Sequence, residues 1–180
     1  MVYEQEFENP RERQMALEAY DWVGLAGAAA DPARATVAFH GGGYLFSLDN
    51  RFLAFTEAPP FGFANPRYDY ADIESVRFMV ANSEPIEDLR VAIRAGEQWY
   101  ASEQVFNHSL GTTSANEFEP VELRFADASW VRLAIEPGVR FDFEGSASVS
   151  PSAPITAVGI ADESLQGRIR VDSFQVIAGD

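Results

Sequence analysis

Two segments within Glu74–Gln104 repeat their apolar residues at every second position, and a third segment follows them after a turn; no other feature constrains the fold of this chain as much. The first segment is Val76–Val80, and the second is Leu89–Ile93. The third, Gln98–Ser102, follows a turn at Ala95-Gly96-Glu97. Because successive side chains of a strand point to opposite faces, this period predicts three strands with one buried face and one open face.

The same alternation recurs along the chain in short segments that are separated by Gly, Pro, Asn and Asp. Further strands are predicted at Val2–Glu8, Ala35–His40, Gly43–Ser47, Phe52–Thr56, Val121–Phe125, Trp130–Ile135, Val139–Phe143, Ile155–Ala161 and Ile169–Ile177. A hairpin turn is predicted at Asp49-Asn50. Pro10–Tyr20 is the one stretch with helical composition, and Asp21–Arg34 is predicted to be loop. About ten to twelve short strands with at most one short helix indicate an all-β, antiparallel β-sandwich.

The length and composition indicate one folded domain. We expect residues 1–180 to form a single domain, because this length usually folds around one core. Hydrophobic residues make up 47% of the chain and aromatic residues 13%, which excludes a disordered protein. A strand-like sequence directly follows Met1, so we expect a module excised from a longer chain.

The charge and the residue counts exclude several classes of function. A net charge of -15 argues against binding to nucleic acid or to an anionic membrane, since both need a concentrated basic surface. All 13 basic residues are arginine, so Schiff-base and P-loop chemistry are excluded. With no Cys and only two His, thiolate and multi-histidine metal sites are excluded too. There is no apolar run of roughly 18 residues that could span a bilayer.

Arginine supplies the predicted binding surface. If the first two segments pair as a hairpin, Arg77, Arg90 and Arg94 lie on one face of the sheet. Guanidinium groups there can donate hydrogen bonds to sugar hydroxyls, or hold a uronate or a sulfate. The alternative is a solvated salt-bridge lattice, in which Glu97, Glu103, Glu122 or Asp88 neutralises the arginines.

Aromatic side chains near this surface are candidates for stacking on sugar rings. Trp99 and Tyr100 are neighbours in the third segment, so their rings must face opposite ways. Trp22, His40 and Tyr44 lie close to Gly-rich stretches, where binding loops are expected. The predicted ligand-binding residues are therefore Arg77, Arg90, Arg94, Trp99, Trp22, His40 and Tyr44.

Both ends of the chain and several stretches between them carry a family resemblance. The N-terminal strand ends in Phe7-Glu8-Asn9, and the last strand is Ile169–Val176. Similar stretches between them are Tyr20–Trp22, Gly43–Phe46, Leu53–Glu57, Asp72–Val76 and Leu89–Ser102. Together they resemble galactose-binding-like jelly rolls, the β-sandwich carbohydrate-binding modules of secreted bacterial polysaccharide-degrading proteins, more narrowly marine ones. The resemblance implies an extracellular or cell-surface jelly roll that is covalently linked to a catalytic domain and binds a polysaccharide or oligosaccharide.

The same resemblance implies one structural calcium ion. Such modules hold it with acidic residues of the first strand and an Asp of the last, and the matching positions here are Glu6, Glu8 and Asp172. Calcium takes about six to eight oxygen ligands, so these carboxylates would form only part of a site. Independently, Asp172 interrupts an apolar strand pattern, and a carboxylate there needs a partner. A surface position, or an ion pair with Arg170, is the alternative.

The sequence thus predicts a non-catalytic carbohydrate-binding module that tethers a secreted enzyme to a polysaccharide. One alternative is a small β-sandwich polysaccharide lyase or glycoside hydrolase, in which His40 and Tyr44 act together with Arg90 and Arg94. A second alternative is a structural or adhesive sandwich that binds protein through an exposed apolar patch. The net charge favours a neutral glycan, whereas the arginines favour an anionic one at short range.

Overall fold

The computed structural model describes most of the chain, and the described residues are mostly β-strand. They are residues 1–7, 14–26, 35–39, 43–47, 51–58, 60–61, 67–82, 89–106, 118–135, 140–142, 150–162 and 169–179. Fourteen strands and three short 3-10 helices occur among them, with no α-helix. None of these described helices is long and apolar enough to cross a membrane. The all-β prediction is confirmed.

The strands form two antiparallel sheets that pack face to face. Sheet 1 contains β1 (Tyr3–Gln5), β2 (Gln14–Ala16), β4 (Ala35–Phe39), β5 (Gly43–Ser47), β7 (Ile73–Asn82), β10 (Glu119–Arg124) and β14 (Ile169–Ala178). Sheet 2 contains β3 (Trp22–Ala26), β6 (Phe52–Thr56), β8 (Arg90–Ala95), β9 (Gln98–Ser102), β11 (Trp130–Ala134), β12 (Arg140–Asp142) and β13 (Ile155–Asp162). The 3-10 helices are Leu17–Tyr20, Tyr70–Asp72 and Phe125–Asp127. The predicted antiparallel sandwich is confirmed.

The order of the strands places distant parts of the sequence side by side. In sheet 1 the order is β10-β7-β14-β5-β4-β2, and β1 also pairs with β14. In sheet 2 the order is β12-β11-β9-β8-β13-β6-β3. The last strand of the chain therefore lies at the centre of sheet 1, between β7 and β5.

Two predicted hairpins and one predicted loop are wrong. The strands β5 and β6 both exist, but β5 belongs to sheet 1 and β6 to sheet 2. The strands β7 and β8 are divided between the sheets in the same way, so they do not pair. Trp22–Ala26, predicted to be loop, is the edge strand β3. Alternation identifies a strand but leaves its partner open, because packing between distant segments selects the partner.

The hairpin between β8 and β9 is predicted correctly. Ala95 pairs with Gln98 at its end. Gly96 lies in the turn with a φ of 58°, in the left-handed region that glycine adopts without steric cost. The same register places Arg94 directly opposite Trp99.

The core between the sheets is strongly aromatic. Trp22 of sheet 2 packs edge-on against Phe7 and Phe174, with ring centroids 5.2 and 5.0 Å away. Its indole N–H donates a 2.7 Å hydrogen bond to Tyr3 Oη. Phe174 stacks in turn on Phe78, with centroids 6.0 Å apart. This column of rings holds sheet 1 against sheet 2.

Sheet 2 is apolar on both of its faces. Every residue of β6, β8 and β13 is buried. One set of side chains packs against sheet 1, and the alternate set forms a second cluster on the outer face. That second cluster contains Leu53, Phe55, Ala92, Trp99, Ala101, Val131, Leu133, Phe141, Ala157 and Ala161. The open outer face predicted for β8 is therefore wrong.

Candidate functional site

Arg94 and Trp99 form the centre of the outer face of sheet 2. The guanidinium carbon of Arg94 lies 5.3 Å from the centroid of the Trp99 ring. Arg94 also donates to the Thr156 hydroxyl at 2.8 Å and forms a 2.6 Å ion pair with Glu57. Phe55 packs edge-on against Trp99, with centroids 4.8 Å apart. The predicted pair of an arginine and an aromatic ring exists, and its contacts join separate segments of sheet 2.

Arg90 lies on the same outer face and makes contacts of the same kind. Its Nη1 group donates to the backbone carbonyls of Ser102 and Glu103, at 2.8 and 2.7 Å. Its guanidinium carbon lies 4.9 Å from the centroid of the Phe141 ring. These contacts tie β8 to the end of β9 and to the edge strand β12.

Burial decides what these three side chains can do. Arg90 is 5% exposed, and Arg94 and Trp99 are each 8% exposed. A sugar binds to an accessible ring face and to accessible donor groups, and these residues offer little of either. Their contacts hold the centre of sheet 2 together instead.

The other predicted ligand residues lie elsewhere. Arg77 belongs to β7 in sheet 1, so the prediction that it shares a face with the other two arginines is wrong. Trp22 lies completely buried between the sheets instead of in a binding loop. Tyr44 is 3% exposed, and its ring contacts Phe118. His40 lies outside the described residues.

The grouping predicted for a lyase is wrong as well. Tyr44 alternates with Leu45, which belongs to the core between the sheets, so Tyr44 lies on the outer face of sheet 1. Arg90 and Arg94 lie on the outer face of sheet 2, on the opposite side of the sandwich. Tyr44 therefore cannot act on one substrate group together with these arginines.

Arg77 lines an open groove of about 470 Å³ on the outer face of sheet 1. The groove crosses the three neighbouring strands β10, β7 and β14. Its lining residues include Arg77, Met79, Pro120, Glu122, Ser173 and Gln175. The side chains of Arg77 and Glu122 are 46% and 30% exposed, so both are accessible to a ligand. We refer to this surface as the Arg77 groove.

An ion pair spans the Arg77 groove. Arg77 Nε donates a 2.8 Å hydrogen bond to Glu122 Oε1, between residues that are paired in β7 and β10. Arg124 Nε lies 3.7 Å from the other oxygen of this carboxylate. The hydrogen bond from Arg77 is the main reason why the pKa of Glu122 lies below its ordinary value of 4.5. Arg77 therefore has one of the carboxylate partners that the salt-bridge alternative offers.

A bulge in β14 shapes one side of the groove. The register between β14 and β7 shifts between Asp172 and Gln175, and Ser173 has a φ of 50°. Asp172 Oδ1 accepts a 2.7 Å hydrogen bond from the Ser173 N–H, which stabilises this conformation. Gln175 Nε2 donates to Glu4 Oε1 at 2.6 Å. The bulge places both Ser173 and Gln175 in the lining of the groove.

Sequence reasoning identifies Arg77 but misses most of its surroundings. It offers Glu122 as one possible partner among several carboxylates. Nothing local singles out Ser173 or Gln175, because β14 reaches β7 only through the pairing of the sheet, with Gln175 opposite Arg77. The one usable signal is the alternation in β10, which places Glu122 and Arg124 on the face opposite its apolar residues.

The described residues contain no cluster of side chains that would by itself mark a metal site. Among them, no group of three or more His, Cys, Asp or Glu side chains is placed to hold a metal ion. Pairing of β1 with β14 does bring the two predicted strands together, with Gln5 opposite Phe174. However, Asp172 already accepts a backbone N–H, Glu6 is exposed, and Glu8 lies outside the described residues. The calcium site stays a prediction.

Two solved structures have a fold similar to that of this chain. One is a family 11 carbohydrate-binding module from Clostridium thermocellum in complex with a β-1,3-1,4-mixed-linked tetrasaccharide; it has a TM-score of 0.57 and 10% identity over 98% of this chain and 96% of that one. The other is the family 11 module of the cellulosomal cellulase Lic26A-Cel5E of Clostridium thermocellum, with a TM-score of 0.56 and 9% identity over 99% and 96%. No protein-family model and no curated protein matches the chain. The likeness establishes a β-sandwich fold that carbohydrate-binding modules also adopt.

Proposed function

We propose that this chain is a non-catalytic carbohydrate-binding module of a longer secreted protein, and that it holds an attached enzyme on a polysaccharide. The likeness in fold to two carbohydrate-binding modules supports this class of function. One of those modules was solved in complex with a β-1,3-1,4-mixed-linked tetrasaccharide, so a mixed-linkage β-glucan is the first ligand to test.

The Arg77 groove is the observation that carries this proposal. Sites for small polar ligands combine apolar surface with a few placed hydrogen-bonding groups. The Nε group of Arg77 contacts Glu122, while the N–H groups on its two Nη atoms can donate to sugar hydroxyls. The Glu122 carboxylate can accept hydrogen bonds from sugar hydroxyls in the same place. Met79 and Pro120 supply apolar surface for the C–H face of a sugar ring.

The ion pair also prepares the groove for a ligand. Arg77 and Glu122 hold each other across two strands, so their side chains lose less freedom when a ligand binds. The buried arginines of sheet 2 have no such role in this proposal. They keep the opposite sheet rigid, and the groove on sheet 1 binds the glycan.

Replacing Arg77 with methionine is expected to weaken glycan binding roughly tenfold or more without unfolding the protein. Hydrogen bonds from a charged donor contribute about 1.5–3 kcal/mol, which corresponds to this loss of affinity. Methionine retains an apolar stem over the groove but donates no hydrogen bond. The measurement is affinity electrophoresis in gels that contain mixed-linkage β-glucan, followed by a panel of other algal and plant polysaccharides.

Arg67→Met is the matched control, because Arg67 is exposed and does not line the groove. Both variants should melt close to the temperature of the parent chain, since exposed ion pairs contribute little to stability. If no glycan retards the parent chain, the proposed function is wrong. If the two variants bind equally well, the Arg77 groove is not the site.

We also propose the calcium ion that the resemblance implies, with Glu6, Glu8 and Asp172 among its ligands. An ion that binds only the folded chain stabilises it by mass action, by about 2.7 kcal/mol at a hundredfold excess over Kd. EDTA should therefore lower the melting temperature in a calorimetric scan, and added calcium should restore it. In Asp172→Asn this response should be lost, whatever the melting temperature of the variant itself. If EDTA leaves the melting temperature of the parent chain unchanged, the proposal is wrong.

A further inference from the structure

Phe118 lies on the same face as the Arg77 groove, beyond its end. It directly precedes β10, in which Glu119 pairs with Val80 of β7. Side chains of a strand alternate between faces, so Phe118, Pro120 and Glu122 all belong to the outer face of sheet 1. At about 3.4 Å per residue, Phe118 lies roughly 14 Å along the strand from Glu122. A single pyranose ring cannot span that distance.

The ring of Phe118 packs against a buried aromatic ring. Its centroid lies 5.8 Å from that of Tyr44, with the two planes inclined at 56°. The guanidinium carbon of Arg170 lies 5.8 Å from the Tyr44 centroid on the same face. Tyr44 and Arg170 are 3% and 8% exposed, whereas Phe118 is only partly buried. Arg170 thus packs on Tyr44, and Tyr44 packs on the partly buried ring of Phe118.

Phe118 lies outside the hydrophobic core of the described residues, so core packing does not explain its contact with Tyr44. Among the described residues, it belongs to neither of the two apolar clusters. Phe118 and Pro120 lie at the same level of the strand as Ala81 and Met79 of β7. Ala81 is completely buried, whereas Met79 and Pro120 line the groove. A partly buried ring at the end of an open groove that has apolar surface and a few hydrogen-bonding groups is a suitable surface for a chain molecule that stacks at one end and hydrogen-bonds at the other.

The charges around the groove favour an uncharged chain. The Glu122 carboxylate already engages both Arg77 and Arg124. Two further carboxylates belong to the same face, because Glu4 accepts a hydrogen bond from Gln175 and Asp172 pairs with Met79. The whole chain also has a net charge of -15. Arg170 lies on this face as well, so its three arginines and three carboxylates balance. A uronate or a sulfate ester would meet no excess of positive charge here, whereas hydroxyl groups can use both donors and acceptors.

We propose that Phe118 and the Arg77 groove form one extended site, in which a neutral polysaccharide stacks on Phe118 and hydrogen-bonds to Arg77 and Glu122. This inference rests on the carbohydrate-binding function proposed above. It adds the direction of the bound chain, along β10 and β7, and the class of ligand, a neutral glycan longer than a disaccharide.

The test is a calorimetric titration with β-glucan oligosaccharides from two to six sugars, using the parent chain, Phe118→Ala and Arg77→Met. Affinity of the parent chain should rise with length until both ends of the site are filled. Phe118→Ala should bind the hexasaccharide with roughly five- to tenfold lower affinity than the parent chain, and should bind the disaccharide with the same affinity. Arg77→Met should lose affinity for every length. Phe118→Tyr, which retains the ring, should bind like the parent chain.

Three outcomes would overturn parts of this picture separately. Equal losses at all lengths in Phe118→Ala, or no loss at all, would overturn the extended site but leave the groove in place. Tighter binding of polygalacturonate or alginate than of the neutral glucan would overturn the neutral class. A parent chain that binds no oligosaccharide or polysaccharide would overturn the proposed function itself.

Discussion

Replacing Gly159 with alanine is expected to destabilise the sandwich by at least about 3 kcal/mol, a large part of the stability of a domain. Gly159 lies in β13, paired with Phe55 on one side and Ala92 on the other. A Cβ atom there would lie 2.0 Å from the carbonyl oxygen of Ala54 and 2.6 Å from the Cα of Phe55. Both are backbone atoms, so no rotamer change relieves the overlap, and β6 would have to move away from β13.

Urea denaturation followed by tryptophan fluorescence measures this loss. Gly179→Ala is the matched control, because a Cβ atom at Gly179 meets nothing within 4 Å. The control should unfold at the same urea concentration as the parent chain, while Gly159→Ala should unfold far earlier or be unfolded in water. Equal midpoints for all three proteins would mean that the backbone of β6 lies further from Gly159 than these distances.

Trp22→Ala is expected to cost about 3–5 kcal/mol, the usual range for removing a large ring from a core. Trp22 is completely buried, and its ring contacts Phe7 and Phe174 across the two sheets. A tryptophan that served only to stack on sugar could be removed with little loss of stability. Thermal melting and affinity electrophoresis on the same samples therefore separate the two roles.

Two smaller changes refine this test. Trp22→Phe retains a ring but removes the N–H donor to Tyr3, and Tyr3→Phe removes the acceptor. Each should cost much less than Trp22→Ala, because a hydrogen bond contributes about 1 kcal/mol net. A Trp22→Ala protein that melts like the parent chain but no longer binds glycan would restore the original prediction of Trp22 as a ligand residue.

Most strands could be predicted from the sequence, but their partners could not. Alternation and turn residues identify β5 and β6 to their ends, most of β8 and the middle half of β7. They do not show that each of these consecutive pairs is divided between the sheets, because that choice depends on which faces are buried together. The β8–β9 hairpin is predictable since its turn is short and contains Gly96. The strand β3 is missed because Gly24 and Ala26 lack the apolar alternation of a typical strand.

The candidate site, too, is predictable only where its residues lie close together in the sequence. Local alternation correctly groups Arg90, Arg94 and Trp99 on one face, since all three lie in one hairpin. It cannot show that this face is buried, because burial depends on the second apolar cluster as a whole. Arg77 is assigned to the wrong face, and its true neighbours come from β10 and β14. Glu122 lies 45 residues further along the chain, too far for any local pattern to select it.

The pairing of the first strand with the last has a mechanical consequence. Tyr3 lies opposite Val176, and the Val2 N–H donates a 2.9 Å hydrogen bond to the Val176 carbonyl. The N-terminal end of β1 and the C-terminal end of β14 therefore leave sheet 1 side by side. Tension applied through both ends would load the hydrogen bonds of this ladder one after another instead of all at once. Flanking segments that pull on both ends would detach β1 at low force, whereas attachment through the C-terminal end alone would leave this ladder unloaded.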